Sequence, residues 1–231
     1  MFWVTLGLLF AAFVGLFVGF LLTFGGIRVE SNTMTPTLQP GDMALYQRGA
    51  SGVVRGDLVI VEAPGGNGAV LVRRVIGIAG DSVMCCTAQG QIVVDGKALD
   101  EGYLAPGPVT KYAETPFSRK VPAGEVWVMG DNRGDAADSR EWGPLPTSSI
   151  VGRVLLATGP GASRSLLRTP TTFTANGLAP ADHRVPLPIL LIGFAIIAAL
   201  ATVVEGVVGL IIWLAGRGRR QRARAPQPTA W

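Results

Sequence analysis

A mostly β domain carried between two membrane-spanning segments is the fold class this sequence predicts. Three observations predict it. Apolar residues make up 48% of the chain and mean hydropathy is +0.40, yet the excess sits in one block at each end. Between the blocks, helical periodicity gives way to short runs rich in Val and Ile. Those runs are separated by Gly, Pro, Asp and Asn, the punctuation of many closely spaced strands. With 231 residues, the chain has room for one domain of ordinary size plus accessory segments.

The first block covers residues 1–26, MFWVTLGLLFAAFVGLFVGFLLTFGG, with no charged side chain before Arg28. A membrane span needs about 20 apolar residues at a rise of ~1.5 Å each, and this run suffices. A secretory signal peptide would bring a basic start, a shorter apolar core and a small-x-small cleavage site. No Lys or Arg precedes the run, and it is too long, so a retained transmembrane helix is expected.

Residues 27–157 are expected to form the β domain. DMALYQ, DLVIVEA, AVLVRRVIGI, SVMCCTA, QIVVDGKAL and EVWVMGD are its strand-like runs. Asp95-Gly96 is a two-residue turn signal that predicts a hairpin. Many short strands at this spacing point to a barrel or sandwich. The two cysteines, Cys85 and Cys86, are adjacent. A bond between neighbours closes a strained ring, which leaves free thiols or an intermolecular bond as the alternatives. No further Cys or His cluster accompanies them to hold a metal. GxSxG, Walker, HExxH and CxxC patterns are absent from the sequence, and no cofactor is expected.

Residues 158–186, rich in Thr, Pro and Ala, read as a linker. The second apolar block, 187–215, is again long enough to span. The tail 216–231 follows at once with Arg217, Arg219, Arg220, Arg222 and Arg224. A basic cluster directly after a span marks the cytoplasmic side, so both termini are expected in the cytoplasm and residues 27–186 on the outer face. The abutting span favours this over a nucleic-acid-binding tail, and no nucleic-acid partner is expected. Glu205 falls inside the second span. A helix that starts late, a helix–helix contact or a protonated carboxyl each accounts for it.

Four motifs follow in order: SNTMTPTLQPGD from Ser31, RGDLVIV from Arg55, VRRVIGIAGDSV from Val72 and GDNRGDAADSREWGP from Gly130. Together, behind an apolar anchor, they resemble the type I signal peptidases, membrane-bound serine proteases that cut signal peptides from exported proteins. The resemblance covers roughly residues 29–157. It implies a mostly β fold, signal peptides of exported preproteins and the lipid bilayer as partners, and a Ser–Lys dyad. In that family a serine before Met attacks the scissile carbonyl, a neutral lysine serves as base, and a serine in the last motif orients the lysine. The substrate lies extended against strands, with small residues near the cut.

Carried onto this chain, the nucleophile position is Thr33, ahead of Met34 and Pro36. Ser31, with Thr33, is placed to form the oxyanion hole. The base position is Arg73, followed by Arg74. The orienting position is Ala136. Asp131, Asn132, Arg133, Asp138 and Arg140 match the shell of the last motif. Three catalytic positions have therefore changed. Threonine still carries a hydroxyl that a base can activate, although its methyl stiffens χ1. Arg73 is the decisive change, because a base must shed its proton near working pH and arginine stays protonated. With no lysine to orient, a serine at 136 has no task. Of the other possible bases, Lys97, Lys111 and Lys120 read as surface charges, and His183 lies in the linker. Asp42, Asp57, Asp81, Asp131 and Asp138 read as structural, pairing with Arg74, Arg133 or Arg140. Two functions follow: a weak or catalytically inactive member that retains the peptide groove, alone or beside active paralogues, or an enzyme using Thr33 with an unrecognised base.

Overall fold

The computed structural model describes residues 2–49, 52–65, 68–104, 116–159, 165–166, 170–178 and scattered positions within 193–213. The chain divides into two compact units, Met1–Leu21 with Val185–Trp231, and Leu22–Arg184. In the first unit, helix α1 begins; it runs from Phe2 to Thr23. Several of its side chains near the N-terminus lie outside the described set. Among the described residues, no helix is long and apolar enough to cross a membrane. Within the expected span over 1–26, the helix ends at Thr23 and Phe24–Arg28 is a strand; most of the expected span over 187–215 lies outside the described residues. Residues 202–210 are helical and Glu205 is exposed on them. The tail 216–231, Lys111 and His183 lie outside the described residues.

The second unit carries the strands. They are β1 (Phe24–Arg28), β2 (Met43–Arg48), β3 (Leu58–Glu62), β4 (Val70–Ile78), β5 (Ser82–Cys85), β6 (Ile92–Val94), β7 (Lys97–Ala98), β8 (Phe117–Lys120), β9 (Glu125–Met129), β10 (Leu145–Pro146), β11 (Ile150–Thr158) and β12 (Ser165–Leu166). Short helices α2 (Ser139–Trp142) and α3 (Thr171–Ala175) accompany them. Among the described residues, the larger sheet runs β1-β2-β11-β3-β4-β9-β10, with β12 on β11; the smaller runs β7-β6-β5-β8. This is the mostly β domain the strand-like runs foretell.

β3 shows why its run is apolar without alternation. Leu58 and Ile60 enter one core cluster with Met34, Leu38, Val72 and Val154. Val59 and Val61 enter another with Val75, Val128 and Ile150. A strand covered on both faces has no polar side to show. The expected hairpin is present: Val94 pairs with Lys97 and Val93 with Ala98 around Asp95-Gly96, and Asp95 takes φ 49°, as a two-residue turn requires.

One local device recurs. Asp42, Asp57 and Asp81 each follow a glycine, and each carboxylate accepts the backbone N–H three residues back, from Gln39, Val54 and Ile78 at 2.8, 3.0 and 2.8 Å. Each preceding glycine has positive φ, which spares a side chain the left-handed penalty. These Gly-Asp turns set the entries to β2, β3 and β5. Cys85 and Cys86 are joined to each other by a disulfide across a cis peptide bond, neither free nor bonded between molecules.

Candidate functional site

Three chain segments meet at the site. The loop after β1 brings Ser31 to Leu38, β4 brings Arg73 and Arg74, and the loop after β9 brings Gly130 to Arg140. Met34 and Leu38, 1% and 0% exposed, anchor the first loop in the core. Thr33 is held between them and the last loop, where the Asn132 amide donates to its carbonyl at 2.9 Å.

Thr33 and Arg73 are in direct contact. Arg73 Nη1 donates to Thr33 Oγ1 at 3.0 Å and to the Val72 carbonyl at 2.6 Å. Nε and Nη2 both donate to the Ala137 carbonyl, at 3.0 and 2.8 Å. The side chain is 1% exposed. Among the described residues it forms no ion pair within 4.0 Å. Burial pushes its pKa below the ordinary value; the charge of Asp138 opposes this and that of Arg140 adds to it. Asp138 is otherwise engaged, with Arg140 at 2.7 Å, the Gly130 amide at 3.0 Å and the Arg140 amide, where it caps α2.

Two more facts define the nucleophile position. Ser31 Oγ and Thr33 Oγ1 are 3.0 Å apart, and either can donate. Ala136, fully buried, packs against Gly130. A Cβ on Gly130 would overlap the Ala136 methyl and stand 2.8 Å from the Thr33 carbonyl, so glycine alone fits there. Positions 33, 73 and the 136–137 segment, far apart in sequence, thus share one site.

The shell is ionic. Arg74 grips Asp131 through Nε at 2.8 Å and Nη2 at 2.5 Å, donates to the Gly56 carbonyl at 2.8 Å and lies 4.4 Å from the centre of the Tyr103 ring. Burial works against its charge, but Asp131 and Tyr103 together outweigh it and raise its pKa. Thr37 donates to Asp131 at 2.5 Å, tying the first loop to the last. Arg140 pairs with Asp138 as expected. Arg133 does not pair with an aspartate; it takes Glu101 through both Nη atoms, at 2.9 and 2.5 Å. Sequence reasoning missed Thr37, Glu101, Tyr103 and the Ala137 carbonyl. Thr37 lies inside a recognised motif, whereas no spacing signal marks Glu101 or Tyr103. Pro36 is exposed, Lys97 donates to the Asn176 carbonyl at 2.6 Å, and Lys120 is exposed on β8.

A groove of about 670 Å³ leads to Thr33, lined by residues 26–31 and Met34 on one side and 68–72 on the other. β1 pairs with β2 alone. In β4, residues 70–73 pair with β3, while pairing with β9 starts at Arg74. Both banks of the groove are therefore free strand edges among the described residues. All pairings from β1 through β2, β11 and β3 to β4 are antiparallel, and four reversals leave β1 and β4 running in the same direction.

Comparison with known proteins agrees with this arrangement. Residues 2–158 match the family described as signal peptidase, peptidase S26. A probable signal peptidase I-2 of Synechocystis is 31% identical over 160 residues, spanning 66% of this chain and 71% of the relative. Mitochondrial inner membrane protease subunit 1 of Mus musculus is 30% identical, spanning 62% of this chain and 75% of that protein. Signal peptidase I V of Bacillus subtilis is 33% identical, over 54% and 80%. With well over half of its length matched by the family, and with four motifs folded around one site, the chain belongs to the type I signal peptidase family.

Proposed function

We propose that this protein is a member of its family that has lost peptide-bond cleavage and kept peptide binding. The observation that carries the reading is the hydrogen bond from Arg73 Nη1 to Thr33 Oγ1. Hydrolysis needs a proton to leave the nucleophile's oxygen for a base. Here the proton-bearing partner is the guanidinium, which donates towards that oxygen and has no lone pair to offer while charged. Nη1 donates to both Thr33 and Val72, and arginine holds its proton throughout the working pH range. Burial lowers the Arg73 pKa, but from a starting value far above the working pH.

The rest of the reading is as follows. An extended signal peptide adds between the free edges of β1 and β4, contributing main-chain hydrogen bonds to both. Ser31 and Thr33 present hydroxyls to its carbonyl. Met34, Pro36, Arg74, Asp131, Asn132, Arg133, Asp138 and Arg140 hold the loops, and Ala136 fills the space of the absent orienting serine. The apolar run ahead of β1, residues 2–23, and residues 187–215 span the cell membrane, with both termini in the cytoplasm and the β domain outside. Active paralogues are its natural neighbours there. The test is a cleavage assay in detergent with a preprotein carrying a small-x-small site. No product above the Thr33→Ala background is expected; cleavage at the correct site that disappears in Thr33→Ala overturns the reading.

A further inference from the structure

The groove ends at Thr33, and a buried cation lies directly behind its hydroxyl, which bears on what the groove holds best. Arg73 is 1% exposed and, among the described residues, has only carbonyl and hydroxyl oxygens as hydrogen-bond partners. A buried charge without a counter-ion is an unstable arrangement unless something supplies the opposite charge. Its nearest acidic influence, Asp138, already forms an ion pair with Arg140. Arg28 and Glu30, both on the groove wall and both exposed, carry opposite charges and give the groove no net sign of their own.

Arg73 also connects to the two hydroxyls. Its N–H occupies one lone pair of Thr33 Oγ1, and the Ser31 and Thr33 hydroxyls lie 3.0 Å apart, where either can donate to the other. With Thr33 donating, the exposed Ser31 hydroxyl has its own hydrogen free, and an acceptor arriving at Ser31 selects that arrangement. Donors aligned in this way, with a cation at their root, favour a full negative charge over a neutral carbonyl.

We propose that the groove preferentially binds peptides whose chain ends at Thr33 in a free C-terminal carboxylate, the form a signal peptide takes after it has been cut. The strand directions fit this. β1 and β4 both run towards Thr33 and Arg73, so a peptide parallel to them arrives with its C-terminus at the hydroxyls. This inference rests on the reading of the groove as a peptide site and specifies its ligand: cleaved peptides rather than intact preproteins.

The experiment uses the full chain in detergent and one fluorescent peptide ending in Ala-Gln-Ala, made as the free acid and as the C-terminal amide. Fluorescence anisotropy should show the acid binding about tenfold more tightly or better, the scale of a hydrogen bond to a charged group. In Arg73→Gln the ratio should fall close to one, and the double variant Ser31→Ala with Thr33→Val should lower it as well if Arg73→Gln does not fold. Equal binding of acid and amide overturns the carboxylate proposal and leaves the peptide groove standing. An acid preference that survives undiminished in the variants also overturns it. If neither peptide binds, the groove reading itself fails and this proposal falls with it.

Discussion

A guanidinium in its charged form donates from every nitrogen and accepts at none, so the hydrogen bond between Arg73 and Thr33 can run in one direction only. That asymmetry, more than the change from serine to threonine, decides the chemistry of the proposed site. The neighbouring arginine behaves differently because its partner does. Arg74 has Asp131 against it on two oxygens, and both side chains are buried. Removing one member of such a pair strands the other. Asp131→Ala is expected to lower stability by about 3–5 kcal/mol, read as a shift in the denaturant midpoint; a change below about 1 kcal/mol would show that Arg74 finds another partner. That Asp131 and Asp138 pair with arginines of the recognised motifs was legible in the sequence, but which arginine each takes was not. The Arg133–Glu101 pair was not. Glu101 sits after β7 in a stretch with no periodicity, and only the folded chain brings it to the last motif.

Among elements, the loop after β1 and the loop after β9 are the pair that matters. They are fastened by Thr37 to Asp131, by Asn132 to the Thr33 carbonyl, and by the contact of Gly130 with Ala136. Gly130→Ala inserts a methyl where the Ala136 methyl and the Thr33 carbonyl already stand. Overpacking of this kind costs about 1–3 kcal/mol, and a thermal melt should show it; an unchanged Tm would mean that the loops are free to part. β3 and the β6–β7 hairpin were readable from local pattern alone, the one from an unbroken apolar run and the other from Asp-Gly. β1 was not, since Phe24–Arg28 continues the apolar block of α1 and only its pairing with β2 reveals it as a strand. The groove was legible only as a family expectation, because a free edge is defined by the absence of a partner and no residue encodes that.

For the whole molecule, the family is established by matched length and by motif geometry, whereas the proposed topology rests on charge and hydropathy. In that proposed topology, the Arg-rich tail directly after the second apolar block puts the C-terminus in the cytoplasm. Protease added to intact spheroplasts should digest the β domain and leave a C-terminal epitope protected. An epitope lost at the same rate as the domain would contradict the two-span arrangement. The net charge of +4 owes much to that tail and carries little information about the site.

The central claim is that three side chains, not the scaffold, stand between this protein and cleavage. The most direct measurement compares the wild type with the triple variant Thr33→Ser, Arg73→Lys and Ala136→Ser on one preprotein bearing a small-x-small site. A general base contributes about 10²–10⁴-fold, so the variant should cleave at least about a hundredfold faster than the wild type, whose product should not exceed that of Thr33→Ala. Cleavage by the wild type that depends on Thr33, or a folded and membrane-inserted variant that remains inert, would contradict the account.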